Sequence, residues 1–173
     1  SDYGFSYEKV NLSTLDGIQL SGWYIPSQNG SAVILMHGYG GNRLGMLPQA
    51  LMLARHGYGV LLDDQRASGE SGGSARSWGW QDVEDVQAAL DYLETRREIA
   101  PGRLGMMGCS TGAEITILAA ARYPQISAAV ADAPTYSSAK DLPAPFDLEG
   151  WFSVPFTPLF LQFIAWRDRK SVV

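Results

Sequence analysis

The 173-residue chain has a hydrophobic content of 46%, a charged content of 18% and a net charge of −5. This composition predicts one folded domain with a sizeable core, and an acidic balance without a basic stripe argues against a nucleic-acid partner. The single cysteine excludes an internal disulfide, and we find neither a signal peptide nor an apolar run long enough to span a bilayer. The compartment and any membrane association stay open, with the cytoplasm favoured over secretion.

The apolar patterns predict alternating strands and helices. Short or alternating apolar runs predict strands over residues 5–15, 18–25, 31–36, 59–62, 104–107 and 128–131. Helical periodicity predicts helices over residues 45–56, 81–97 and from the end of the fifth strand to Pro124. Asp16-Gly17 is a turn signal between the first two strands. An N-terminal hairpin followed by βαβαβαβ predicts an α/β fold with a mainly parallel sheet and helices on both faces.

Polar side chains follow several predicted strands. His37, Asp63, Asp64, Ser110 and Asp132 all come where a strand ends. In such sheets, ligands bind outside the carboxyl ends of the strands. We therefore expect the chemistry at this edge.

Residues 108–112 (GCSTG) fit the pattern G-x-S-x-G between a predicted strand and a predicted helix, which is the context of a nucleophile elbow. Small neighbours allow the sharp turn, and the helix N-terminus directs its free N–H groups at an oxyanion formed there. We predict Ser110 as the nucleophile. The alternative is a helix-capping serine in an ordinary strand-to-helix turn.

The C-terminal segment, residues 137–173, is interrupted by prolines and rich in aromatic residues. This pattern predicts a lid over the strand ends of a core domain formed by residues 1–136. Because the lid is aromatic and apolar, we expect a small hydrophobic or acyl substrate. A membrane-spanning segment is disfavoured because the stretch is short and broken by proline. No metal-ligand spacing, P-loop or dinucleotide motif is present in the sequence, so no cofactor or metal is predicted.

Three motifs together resemble the α/β-hydrolase family, over nearly the whole chain up to about Tyr136. They are residues 37–41 (HGYGG) after the third strand, residues 64–71 (DQRASGES) after the fourth, and the elbow after the fifth. The branch that looks most similar contains the serine aminopeptidases and monoacylglycerol-lipase-like hydrolases. Ala67 and Ser68 depart from the glycine and histidine that the family often has there, which affects a structural turn.

The resemblance implies a role for several residues. The oxyanion donors would be the backbone N–H of Thr111 and that of Tyr39, with Gly40 as the alternative to Tyr39. His37 would shape the oxyanion loop and would not be the catalytic base. The second histidine, His56, is expected at the surface end of a helix.

Other polar residues are expected to be structural. Asp63 and Asp64 are predicted to brace the loop after the fourth strand with Arg66, and Cys109 is predicted to be a small packing residue. Asp132 fits a structural turn better than a triad acid.

The family order of serine, then acid, then histidine leaves the triad incomplete in these residues. The resemblance implies a chain that stops after the sixth strand and the start of the lid. We therefore expect an α/β-hydrolase of the esterase, lipase or peptidase type that cleaves an ester, thioester or amide through an acyl-Ser110 intermediate, and little activity from these residues alone. The alternatives are a non-catalytic binding or interaction domain and an acyl transferase. An open sheet edge would also favour self-association.

Overall fold

A mixed six-stranded sheet flanked by three α-helices forms the fold in the computed structural model, which describes residues 5–76 and 81–134. The strands are β1 (Glu8–Ser13), β2 (Gln19–Ile25), β3 (Ala32–Met36), β4 (Gly59–Asp63), β5 (Leu104–Cys109) and β6 (Ile126–Asp132). The helices are α1 (Leu47–Arg55), α2 (Asp82–Glu94) and α3 (Thr111–Arg122), and a short 3₁₀ helix, Arg43–Met46, leads into α1.

The strand order is β1-β2-β4-β3-β5-β6. The hairpin β1–β2 joins β4 in antiparallel fashion, and β4, β3, β5 and β6 are parallel to one another. Gly17 closes the hairpin with φ +83°, a conformation that glycine adopts without steric cost. Because the four parallel strands point the same way, the loops after β3, β4 and β5 and the end of β6 meet at one edge, as the sequence predicts.

The core lies on both faces of the sheet. On one face, α2 and α3 pack against β-strand residues that include the fully buried Tyr24 and Met106. On the other face, α1 and the 3₁₀ helix cover a smaller cluster built around Leu35 and Leu62. Strands buried on both faces have few polar positions, and this is why β3 and β4 are almost continuous apolar runs.

The predicted fold class is confirmed, and the predicted elements are all present. Within α1, Ala50 is fully buried and Leu51 is half-buried. In the part of the chain that the structure describes, no helix has the length and apolarity needed to cross a bilayer.

β6 borders the described sheet, and every residue of this strand after Ile126 is exposed. Self-association through this edge stays a prediction. The described residues fall within one compact unit, Ser1–Thr135. The lid predicted over residues 137–173 lies outside the described residues.

Candidate active site

Ser110 occupies the sharp turn between β5 and α3. Its backbone angles are φ 55° and ψ −122°, which place a non-glycine residue in a region that side chains rarely adopt. Its amide donates to the Asp132 carbonyl over 2.9 Å, and its own carbonyl accepts from the Ala113 amide over 2.9 Å. The strand on one side and the helix on the other therefore hold the strained residue in place.

The two glycines of the G-x-S-x-G pattern are sterically required. A Cβ on Gly108 would lie 2.0 Å from the Gly112 carbonyl oxygen, and a Cβ on Gly112 would lie 2.3 Å from the Met36 carbonyl oxygen. These distances are far below van der Waals contact with rigid backbone atoms. The elbow can form only because β5, α3 and the end of β3 approach one another without side chains between them.

The loop after β3 passes directly beside the elbow. The Gly41 amide donates to the Gly38 carbonyl over 3.2 Å, which closes a four-residue turn with Gly40 at φ +71°. Gly38 lies so close to Ser110 that a Cβ on Gly38 would be 3.2 Å from the Ser110 Cβ. Tyr39, whose side chain is 60% exposed, occupies the turn next to this contact. The predicted oxyanion loop and the predicted nucleophile are thus neighbours.

Thr111 is the first residue of α3. The first amides of a helix have no acceptor within the helix, and the helix dipole makes this end partly positive. The Thr111 amide directly follows Ser110, so it is available as a donor beside the hydroxyl. The Thr111 hydroxyl is buried and has no hydrogen-bond partner among the residues described here.

His37 is buried and its two ring nitrogens are both engaged. Nδ1 lies 2.8 Å from the Gly38 carbonyl oxygen, and Nε2 lies 3.1 Å from the Gln65 amide nitrogen. A backbone amide can only donate, so Nε2 accepts and the proton is on Nδ1. Burial lowers the pKa of His37, which keeps the ring neutral. The ring serves as a structural bridge between two loops.

His56 lies at the exposed C-terminal end of α1, as expected. Its Nδ1 is 2.8 Å from the Met52 carbonyl oxygen. Both histidines of the 173-residue chain are therefore occupied in structural contacts.

The loop after β4 is braced by two separate ion-pair groups. Asp64 pairs with Arg43, which donates Nη2 to Oδ2 over 2.7 Å and Nε to Oδ1 over 3.1 Å. Arg66 instead binds Asp85 of α2, with contacts of 2.5 and 2.7 Å, and Asp16 of the hairpin at 3.0 Å. Asp64 braces the loop as predicted, because its Oδ2 accepts from the Glu70 amide over 2.8 Å, but its ionic partner is Arg43 and not Arg66.

Asp63 ends β4 and is buried beneath this loop. Burial raises its pKa to about 7, and the nearby carboxylates of Asp85 and Asp64 add to the effect. Its Oδ1 has no hydrogen-bond partner within residues 5–76 and 81–134. A neutral carboxylic acid at this position fits those surroundings better than a carboxylate does.

Asp132 contributes through its main chain, because its carbonyl fixes the Ser110 amide while its side chain is exposed. Cys109 is half-buried and packs on the smaller core cluster. Among the described residues no group of histidine, cysteine and carboxylate side chains could hold a metal ion.

Sequence reasoning did not identify Arg43 or Gln65. Each is buried, with an exposed fraction of 5% for Arg43 and 1% for Gln65, and each binds a loop of the candidate site. Burial of such polar residues is the signal that marks them, and it is visible only once the loops are folded.

Comparisons with known proteins agree with this fold. The profile of the family described as X-Pro dipeptidyl-peptidase (S15 family) matches residues 14–156. The Pyrococcus furiosus esterase Pf2001 superimposes with a TM-score of 0.73 and 34% identity, over 77% of this chain and 54% of that one. The α/β hydrolase GrgF from Penicillium superimposes with a TM-score of 0.70 and 30% identity, over 75% of this chain and 46% of that one.

Two curated relatives have a similar sequence identity to this chain. The polyketide transferase grgF of Penicillium is 32% identical over 75% of this chain and 45% of its own length. The uncharacterized protein YfhR of Escherichia coli is 33% identical over 62% of this chain and 39% of its own length. The chain thus spans less than half the length of these curated relatives. The family match covers most of the chain, and the chain therefore belongs to the X-Pro dipeptidyl-peptidase (S15) family and has the α/β-hydrolase fold.

Proposed function

We propose that the protein is a serine hydrolase that cleaves a carboxylic ester, thioester or amide bond through an acyl-Ser110 intermediate. The observation that carries this proposal is the strained turn at Ser110, with φ 55° and ψ −122°, between a buried strand and a helix N-terminus. Strain of this kind costs about 1–3 kcal/mol and is concentrated at functional sites. An ordinary helix-capping serine would need no such conformation, and the Ser110 side chain makes no capping hydrogen bond.

In the proposed mechanism the Ser110 hydroxyl oxygen attacks the carbonyl carbon of the substrate and gives its proton to a general base. The carbonyl oxygen becomes an oxyanion that accepts hydrogen bonds from the Thr111 amide and from the Tyr39 or Gly40 amide. The base then protonates the leaving alcohol, thiol or amine, which departs and leaves the acyl-enzyme. In the second half of the reaction, water attacks the acyl carbon and gives its proton to the base. The base returns this proton to the Ser110 oxygen as the carboxylic acid is released. Each donor to the oxyanion contributes roughly 3–4 kcal/mol in a comparable protease site.

The base is proposed to come from outside these 173 residues. His37 has both nitrogens occupied and is buried, and His56 lies at the end of α1. Removal of a triad base lowers kcat about 10⁶-fold. These 173 residues alone would therefore retain only the weak catalysis that comes from the oxyanion hole and substrate binding.

The substrate is proposed to be a small hydrophobic or acyl compound. One of the similar structures is an esterase, which supports ester cleavage. The family is named for a dipeptidyl-peptidase, so peptide substrates are to be tested as well. The branch resemblance to serine aminopeptidases and monoacylglycerol lipases is part of this proposal. Acyl transfer is a second candidate, favoured by the relative described as a polyketide transferase. Transfer uses the same groups, with an alcohol in place of water.

A fluorophosphonate probe and a series of p-nitrophenyl esters test the proposal. The 173-residue chain and the product of the complete reading frame are compared, each as wild type, Ser110→Ala and Ser127→Ala. Ser127 is an exposed serine of β6 and is the matched control. We expect rapid labelling and hydrolysis only in the complete product, both lost in Ser110→Ala and kept in Ser127→Ala.

Two results would contradict the proposal. If the complete product neither hydrolyses esters or peptides nor reacts with the probe, the non-catalytic binding domain is the better description. If the 173-residue chain is labelled as rapidly as the complete product, the base lies within these residues. Adding a primary alcohol acceptor and measuring the ratio of transfer to hydrolysis separates the two candidate reactions.

A further inference from the structure

Gln65 uses its main chain and its side chain on the same neighbour. Its amide donates to His37 Nε2 over 3.1 Å, and its side-chain Nε2 donates to the His37 carbonyl over 2.5 Å. Its side-chain Oε1 accepts from Arg76 Nη2. With an exposed fraction of 1%, the residue makes these contacts away from solvent, where hydrogen bonds have few competitors.

His37 is the residue through which the oxyanion loop is anchored. Its ring holds the Gly38 carbonyl at 2.8 Å, and the same carbonyl closes the turn to Gly41. The His37 carbonyl lies against α3, since a Cβ on Gly112 would be 2.7 Å from that oxygen. The His37 ring therefore contacts the turn that carries Tyr39, and the His37 carbonyl contacts the first turn of α3, which carries Thr111. Gln65 binds both the ring and the carbonyl.

We propose that Gln65 is a positioning residue that sets the distance between the Tyr39 turn and the Thr111 amide through His37. The inference rests on the proposed function, because a hole for an oxyanion is needed for its placement to matter. Gln65 does not touch the reacting atoms. It acts by fixing the main chain on which one of the two donors is carried.

The chemistry of the side chain explains why glutamine suits this position. The His37 carbonyl needs a donor and the Arg76 guanidinium needs an acceptor, and a primary amide supplies both from one group. A glutamate would satisfy Arg76 but would place an acceptor against the His37 carbonyl. A methionine has a similar shape and would satisfy neither. These two variants therefore separate the contact with His37 from the contact with Arg76.

The test uses the product of the complete reading frame with Gln65→Met and Gln65→Glu. Gln125→Met is the control, because Gln125 is half-buried just before β6, at the opposite end of the sheet. Each protein is assayed for kcat and KM on a p-nitrophenyl ester. Each is also assayed for inhibition by an alkyl trifluoromethyl ketone and by the methyl ketone of the same length. Ser110 Oγ adds to the fluorinated carbonyl and gives up its proton to the base, which leaves an anionic hemiketal in the oxyanion hole. The methyl ketone binds mainly as the unreacted ketone.

A misplaced donor is expected to lower kcat about 10–100-fold in both Gln65 variants with little change in KM. The inhibition constant of the trifluoromethyl ketone should rise by the same factor, because it reports transition-state binding, while that of the methyl ketone stays constant. Gln125→Met should match the wild type in all four quantities.

The outcomes keep this inference separate from the proposed function. If Ser110→Ala abolishes activity while the Gln65 variants keep the wild-type kcat, the positioning role is wrong and the hydrolase proposal stands. Equal weakening of both ketones, or failure of both variants to fold, would also overturn the inference, because Gln65 would then support binding or the fold in general. If the wild type itself has no Ser110-dependent activity, the proposed function has failed first.

Discussion

Replacing Ser110 by glycine should stabilise the fold while it abolishes activity. A residue with φ 55° and ψ −122° has the backbone of the first central position of a type II′ turn, which glycine normally occupies. Ser110→Gly removes the steric cost of the Cβ. Ser110→Ala removes the same hydroxyl and keeps that cost, so the difference in unfolding free energy between the two variants isolates the strain.

The expected magnitude follows from two opposing effects. Backbone strain at such an angle costs about 1–3 kcal/mol. At an unstrained position alanine would be more stable than glycine by about 0.4–1 kcal/mol, because glycine gives the unfolded chain more freedom. The unfolding free energy of Ser110→Gly should therefore be about 1–2 kcal/mol higher than that of Ser110→Ala. For a chain of this size, that corresponds to a melting temperature about 3–6 °C higher.

Urea unfolding followed by circular dichroism measures the difference, with the m-value checked for constancy. The same pair of substitutions at Ser127, an exposed position within β6, provides the control and should show the opposite order. If Ser110→Ala is more stable than Ser110→Gly by about 0.4–1 kcal/mol, as at an ordinary position, Ser110 is not strained. The main support for an elbow that presents a nucleophile is then removed.

The other predictions concern Asp63 and the elbow glycines. The pKa of Asp63 is raised from its ordinary value of 3.8 to about 7 in the folded state. Between these two pH values, the folded protein keeps a proton on Asp63 that the unfolded chain releases. Wild-type stability should therefore fall as pH rises through this window. Asp63→Asn has no such proton, so it should match the wild type near pH 4 and exceed it by up to about 4 kcal/mol at pH 8. An advantage independent of pH, measured by denaturation at both values, would show that Asp63 is ionised in the fold. Gly112→Ala should cost more than about 3 kcal/mol in thermal unfolding, since its Cβ would lie 2.3 Å from a carbonyl oxygen. Gly45→Ala, with nothing within 4 Å of its Cβ, should be neutral or slightly stabilising. Equal effects of the two alanines would contradict the close packing at the elbow.

The sequence predicts the fold well because the local signals agree with one another. The apolar run of β3, the turn at Gly17 and the periodic face of α2 each have one natural interpretation. The elbow is similarly readable, since two glycines flanking a serine between a strand and a helix leave few alternatives. These features depend on neighbours within a few residues, which a sequence displays directly.

The pairing of buried charges could not be predicted in the same way. Arg43, Arg66 and several carboxylates lie within reach of the loop after β4, and many pairings satisfy charge balance. The partner of Asp64 is decided by the 3₁₀ helix that brings Arg43 back over β4, which is a tertiary event. Asp85 is drawn to Arg66 by the position of α2 for the same reason. Charge identity alone does not reveal these distances.

The candidate site is built mainly from main-chain groups, and this accounts for which of its parts can be read from a sequence. The proposed donors are amides, the Ser110 amide is fixed by a carbonyl, and His37 acts through the Gly38 carbonyl. Main-chain groups are positioned by turns and close approaches, so the informative residues are the glycines that permit them. A side chain such as Gln65 then affects the site by holding the backbone. A polar residue buried beside an oxyanion loop consequently merits the same functional test as one that faces the substrate.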